Sequence, residues 1–145
     1  MEMREKSLEI PSESNYIRKT SEDILKDLES LSLDKTTLFV IKLCIEEALR
    51  NAMIHGNRMN ESLPVKVRYK VADNRFSVEI EDQGKGFDYK HLPDPTVNEN
   101  LLRGHGRGVF LINHLMDEVR YNDRGNIIKM IKFLSGGKDG IQDGK

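Results

Sequence analysis

The chain has no tryptophan and a single cysteine among its 145 residues, and only 6% of them are aromatic. One thiol excludes an internal disulfide framework and any multi-cysteine zinc site, and it fits a reducing compartment. Cys44 falls among Leu43, Ile45 and Ala48 in a helical stretch, where it reads as a small buried hydrophobe and not as a reactive thiol. Charge of one sign is also missing. The 23 Lys and Arg nearly balance the 24 Asp and Glu, and a net charge of −1 recruits neither nucleic acid nor an anionic membrane. No basic stripe with interleaved aromatics is present. No apolar run is long enough to span a bilayer, and the opening MEMREKSLEIP lacks the apolar centre of a secretory leader. These absences predict a cytoplasmic protein with no membrane or nucleic-acid partner. What remains, 37% hydrophobic and 32% charged residues, suits one soluble domain with one sizeable core.

Periodicity gives the order of elements. Lys6 to Ile10 can form a short strand closed by Pro11, and Ser12 or Ser14 can cap a helix from about Tyr16 to Leu31. Asp34 can cap a second helix from about Lys35 to His55, which stops at Gly56-Asn57. Val65 to Val71 and Arg75 to Glu81 alternate apolar and polar residues around Asp73-Asn74, which predicts a hairpin. Residues 83 to 108 carry glycines, prolines and little periodicity, the marks of a functional loop or lid. A third helix is expected over about Gly108 to Met116, followed by a closing hairpin of Val119 to Tyr121 and Ile127 to Phe133. Residues 1–134 read as a single domain and 135–145 as a disordered tail.

Three stretches carry chemistry. On the second helix, at about 100° per residue, Ile41, Cys44, Ile45, Ala48 and Ala52 share a core-facing arc. Asn51 falls inside that arc and Glu47 at its border, whereas Glu46 and Arg50 project towards solvent. A buried Asn and Glu need partners. A hard cation with its waters and a phosphate would supply them: Asn51 offers a neutral oxygen, and Glu47 can hold a water or accept a proton. On this helix alone, a backbone-bonded Asn with an outward-reaching Glu explains the pair better. His55 extends the stripe and reads as a structural cap, not a ligand. The second stretch is Asp82-Gln83-Gly84-Lys85-Gly86-Phe87. Strand alternation points Asp82 inward, where the exocyclic amine of adenine is a suitable donor, and Gly84 and Gly86 let a flat base approach the backbone. A plain turn would have the same pattern. In the third, Gly104, Gly106 and Gly108 alternate with Arg103, His105 and Arg107 before the apolar run from Val109. Such a glycine-rich helix start binds anions, a triphosphate above all, though glycine junctions also serve as hinges. The fixed order of the three weak signals is the strong one.

In that order, the chain resembles the GHKL ATPase superfamily, the Bergerat fold of gyrase, heat-shock chaperones, histidine kinases and mismatch-repair ATPases. More narrowly it is similar to stand-alone bacterial serine kinases that act as anti-sigma factors. The resemblance runs from the first strand to Phe133 and is most specific at Glu47 to Gly56, Asp82 to Asp88 and Gly106 to Val119. It implies an α+β, Bergerat-type two-layer sandwich: a mixed, mainly antiparallel sheet of about five strands with helices on one face. Glu47 would match the general base and Asn51 the magnesium ligand. Asp82 would match the adenine-binding carboxylate, with Gly84 and Gly86 beside the base. Gly104, His105, Gly106, Arg107, Gly108 and Val109 would form the phosphate loop, and residues 88 to 103 the lid. The implied cofactors are ATP and Mg2+. The implied partners are a small anti-sigma-factor antagonist, phosphorylated on serine, and a sigma factor. The chain departs from the family at Gly125-Asn126, where Gly-Thr is frequent, and Arg107 has no firm role.

Two other readings compete: a nucleotide-loaded binding module that only sequesters a partner, and the ATPase half of a histidine kinase. The retained Glu47 argues against the first. The second would need phosphoacceptor helices upstream, for which the stretch before the first helix leaves no room. Phe39, Leu43 and Met53, opposite the core arc, are expected either to lie under the first helix, the favoured arrangement, or to form a homodimer or partner surface.

Overall fold

The computed structural model describes residues 3–84 and 104–134. Strand β1 (Met3–Ile10) leads into helices α1 (Asn15–Leu28) and α2 (Lys35–Asn51). Strands β2 (Val65–Ala72) and β3 (Arg75–Glu81) follow, then helix α3 (Gly104–Leu115) and strands β4 (Glu118–Tyr121) and β5 (Ile127–Phe133). The five strands form one sheet in the order β1-β2-β3-β5-β4. Every strand pairing among the described residues is antiparallel, so the expected parallel component of the sheet is not found there.

Alternation decides which face is covered. Val67 pairs with Ile80, Tyr69 with Val78 and Val71 with Phe76, and β5 continues the layer with Met130 opposite Val78 and Ile128 opposite Ile80. These residues belong to one buried core with Ile24 and Leu28 of α1, Ile41, Ile45 and Leu49 of α2, and Ile112 of α3. The intervening residues are charged: Arg68 bonds Glu79 at 2.9 Å and reaches Glu81 at 3.3 Å. One apolar face and one ionic face therefore place the helices on a single side of the sheet, the two-layer α+β arrangement expected.

Local chemistry sets the joints. Asp73 and Asn74 both take left-handed φ, 55° and 58°, which matches a two-residue hairpin to the strand twist. The Asp34 carboxylate accepts from Thr37 N–H at 2.8 Å and caps α2 as expected. Neither serine caps α1. Ser14 makes no side-chain cap bond, and Ser12 is turned away, donating to Leu63 C=O at 2.7 Å. Helix α1 is pinned to the sheet through Asp27, which accepts from Tyr69 Oη at 2.5 Å and Lys6 Nζ at 2.8 Å. These bonds, Lys6 first, hold the Asp27 carboxyl below its ordinary range. Helix α2 ends differently from expectation. After Asn51 the coil widens into a π-helical turn, Ala52–Gly56, and Arg58 and Met59 then take left-handed φ of 54° and 57°. On its back face Met53 is fully buried and Leu43 half-buried, but Phe39 remains 63% exposed, so the expected cover is incomplete.

Candidate functional site

The end of α2, its π-turn, the tips of β3 and β5 and the start of α3 enclose one cleft. Its empty volume, counting space open to solvent, is about 460 Å3. Ala48, Ala52, Ile80, Val109 and Ile128 give it apolar walls; Asn51, Asp82 and Asn126 bring polar groups to it. Apolar and edged by a few amides and one carboxylate, it suits a heteroaromatic ring.

Asp82 sits at one end of the cleft, 8% exposed, where strand alternation had placed it. Its Oδ1 accepts from Gly84 N–H at 2.8 Å. Burial pushes the Asp82 carboxyl above the ordinary aspartate range; the Gly84 bond and nearby Arg124 oppose the rise. The approach is close on every side. A Cβ at Gly56 would overlap the Asp82 carboxylate, and one at Gly84 would overlap the Gly56 carbonyl. Gly56, expected only to stop the helix, is therefore a packing requirement of the carboxylate, and the π-turn brings its backbone there.

The turn after β3 is held by three side chains that the sequence reading did not assign to the site. Asn57, 1% exposed, accepts from Gln83 N–H at 2.7 Å. Its Nδ2 faces Ser12 Oγ at 3.0 Å, Leu63 C=O at 3.0 Å and Pro64 C=O at 3.1 Å. From the other side Asn126 Nδ2 donates to Asp82 C=O at 3.0 Å, while Asp82 N–H donates to Asn126 C=O at 2.9 Å. Asn122 Nδ2 donates in turn to Asn126 Oδ1 at 2.6 Å. The asparagine at the family departure thus fastens the backbone of Asp82. Arg124 donates to Gly84 C=O at 2.6 Å. The available signal was a set of Asn residues bordering apolar strands, where an unpartnered amide would be costly.

Beside Asn51, which lines the cleft, Glu47 meets the start of α3. A Cβ on Gly108 would lie 2.9 Å from Glu47 Oε1 and 3.2 Å from Asn51 Nδ2, so a larger residue there would displace the glutamate carboxylate. Glu47 is 14% exposed, and its Oε2 accepts from Arg50 Nη1 at 2.8 Å. Arg50 therefore folds back on Glu47. Arg50 still reaches solvent, as expected, at 42% exposure, but Glu46 does not: it is 19% exposed, accepts from Ser21 Oγ at 2.6 Å and pairs with Lys42 at 3.3 Å. The first helix packs over that side of α2, which a wheel drawn for one helix does not show. His55 also lines the cleft, and desolvation holds its imidazole below the ordinary histidine range.

The glycine junction differs from expectation. Helix α3 begins at Gly104, not Gly108, so Gly104, His105, Gly106 and Arg107 form its first turn. Glycine adopts helical φ as readily as any other, and Gly108 is buried where α3 packs on α2. The first turn of any helix still leaves its N–H groups without intrahelical acceptors, so an anion can be held there. The side chains of residues 104–107 lie outside the described residues. So do Gly86, the lid expected over residues 88 to 103, and the tail from Ser135.

The donor set fits magnesium arriving with a nucleotide rather than a cage of protein ligands. Among the described residues no group of three or more His, Cys, Asp or Glu converges. One amide oxygen and one carboxylate beside a helix start suit a hard cation that brings phosphate oxygens and waters.

A five-stranded antiparallel sheet covered on one face, with Asn51 and Asp82 in one cleft, is a two-layer α+β domain with a candidate ligand site. The chain belongs to the histidine kinase-like ATPase domain family, whose model matches residues 10–132. Over 101 residues it is 39% identical to the serine-protein kinase RsbW of Staphylococcus epidermidis, covering 64% of each chain. It is 34% identical over 113 residues to the serine-protein kinase RsbW of Bacillus licheniformis, covering 72% of this chain and 68% of that one. Against the protein of the same name from Staphylococcus aureus the identity is 32% over 101 residues, again 64% of each chain. The chain thus spans 64% of the length of the staphylococcal relatives. No helix of the described residues is long and apolar enough to cross a membrane.

Proposed function

We propose that the protein binds ATP with magnesium and transfers the γ-phosphate to a serine of a small anti-sigma-factor antagonist, and that it sequesters a sigma factor. The observation that carries the proposal is one cleft lined by both Asn51 and Asp82, with Glu47 and Gly108 meeting beside Asn51 and with Gly56 and Gly84 packed round Asp82. The relatives, named serine-protein kinases, support the same reaction.

Each residue has a distinct task. The Asp82 carboxylate accepts from the exocyclic amine of adenine, and the apolar walls take the ring faces. The first turn of α3 offers backbone N–H groups to the phosphates, and Asn51 offers its amide oxygen to the cation. Magnesium, when bound with the nucleotide, neutralises phosphate charge. The serine oxygen forms a bond to the γ-phosphorus as the bond to the bridging oxygen breaks, and ADP leaves. Glu47 takes the serine proton.

Replacing Glu47 with Gln tests this directly. With labelled ATP and the antagonist as acceptor, E47Q is expected to transfer no label in a single turnover while still binding ATP. Undiminished transfer by folded E47Q refutes the role of Glu47. A wild-type protein that binds ATP but never transfers it would show a sequestering module in place of a kinase.

A further inference from the structure

Arg50 lies one helical turn beyond Glu47 on α2, and the two share a 2.8 Å contact between Nη1 and Oε2. The pair is asymmetric: Arg50 is 42% exposed and Glu47 only 14%, so the guanidinium grips the carboxylate from the solvent side. The other oxygen, Oε1, is the atom that a Cβ on Gly108 would approach to 2.9 Å. One carboxylate is therefore divided, one oxygen on an arginine and the other facing the junction of α2 and α3.

The neighbouring carboxylate does not compete. Glu46 is already engaged by Ser21 at 2.6 Å and by Lys42 at 3.3 Å. Lys42, Glu46 and Arg50 line the same exposed groove with Arg18, yet the charges are sorted, Lys42 to Glu46 and Arg50 to Glu47. With its arginine 42% exposed, the pair contributes only modestly to stability. Its effect is geometric. A glutamate has three rotatable side-chain bonds, and proton transfer requires its oxygen within hydrogen-bond reach of the reacting hydroxyl.

We infer that Arg50 is a positioning residue for phosphoryl transfer: it holds Glu47 by Oε2 so that Oε1 is presented beside Gly108 and Asn51. The inference rests on the kinase reading above, with Glu47 as base. Arg50 itself touches neither nucleotide nor acceptor in this scheme.

The test compares wild type, Arg50→Met and Arg50→Lys, using labelled ATP, magnesium and the antagonist protein, with ATP affinity measured by calorimetry and folding by thermal melting. R50M is expected to lose roughly ten- to a hundred-fold in kcat, the scale of a misplacement of about 1 Å. Its ATP affinity and melting temperature should stay near those of wild type. R50K, which keeps a cation within reach of Oε2, should recover most of the loss. A kcat for R50M within about two-fold of wild type overturns the inference. So does R50K as slow as R50M, or a loss that appears entirely as weaker ATP binding. A wild-type protein that transfers no label removes the kinase reading and this inference together; a competent wild type with an indifferent R50M removes the inference alone.

Discussion

Replacing Asn57 with Ala should destabilise the protein by several kilocalories and loosen the nucleotide site with it. The amide Nδ2 has two hydrogens and faces three oxygens, so two full bonds at a time is its capacity. With the bond from Gln83 N–H to Oδ1, three are lost. At about 1 kcal/mol each they contribute roughly 3 kcal/mol. Leu63 C=O keeps the Ser12 hydroxyl at 2.7 Å and is not orphaned. The Gln83 N–H loses its acceptor, which adds about 1–2 kcal/mol. The total, about 4–5 kcal/mol, lowers the melting temperature by roughly 8–20 °C for a chain of this length. Urea unfolding followed by circular dichroism should show a lower midpoint with an unchanged slope. Ser12→Ala should cost less than half as much, because Asn57 still reaches Leu63 C=O. A fall in melting temperature of about 2 °C or less for N57A would refute the network's role.

Two further expectations concern buried ionisable groups. Burial raises the Asp82 pKa above that of an aspartate in the unfolded chain, about 3.8. The native state therefore binds that proton more tightly than the unfolded chain, and the associated stability is present below pH 3.8 and lost as pH rises through the raised value. Asp82→Asn should consequently melt higher than wild type at pH 7.5, with the gap closing on acidification; a variant melting lower at neutral pH contradicts this. Cys44 is fully buried and its thiol is pushed up to about 12 by desolvation. Native protein should resist iodoacetamide and react with one equivalent only after unfolding, so rapid native labelling would count against the buried assignment.

The elements whose signals are local were legible in the sequence. The β2–β3 hairpin follows from apolar alternation and an Asp-Asn turn, and the inward Asp82 from simple continuation of the strand period. The shared side of Glu47 and Asn51 follows from a four-residue spacing. What escaped was set by distant chain. Asn57 finds its partners in Ser12, Leu63, Pro64 and Gln83, and Asn126 finds Asp82 from 44 residues away. Glu46 read as a solvent residue because a single-helix wheel does not contain α1, whose Ser21 bonds it; the Arg50–Glu47 bond is a local three-residue pair that the wheel could have suggested. The widened turn at Ala52–Gly56 has no pattern in the residues themselves, yet it is what sets Gly56 against Asp82. The early start of α3 was hidden because glycines penalise a helix only mildly, and packing of α3 on α2 overrides that preference.

Titration calorimetry of ATP with magnesium, on wild type and on Asp82→Asn, tests the central claim most directly. The account predicts saturable uptake of one nucleotide per chain by wild type. In D82N, affinity should fall about ten- to a hundred-fold, the value of a hydrogen bond to a charged acceptor. No heat of binding with folded wild type, or equal affinity for the two proteins, would contradict it.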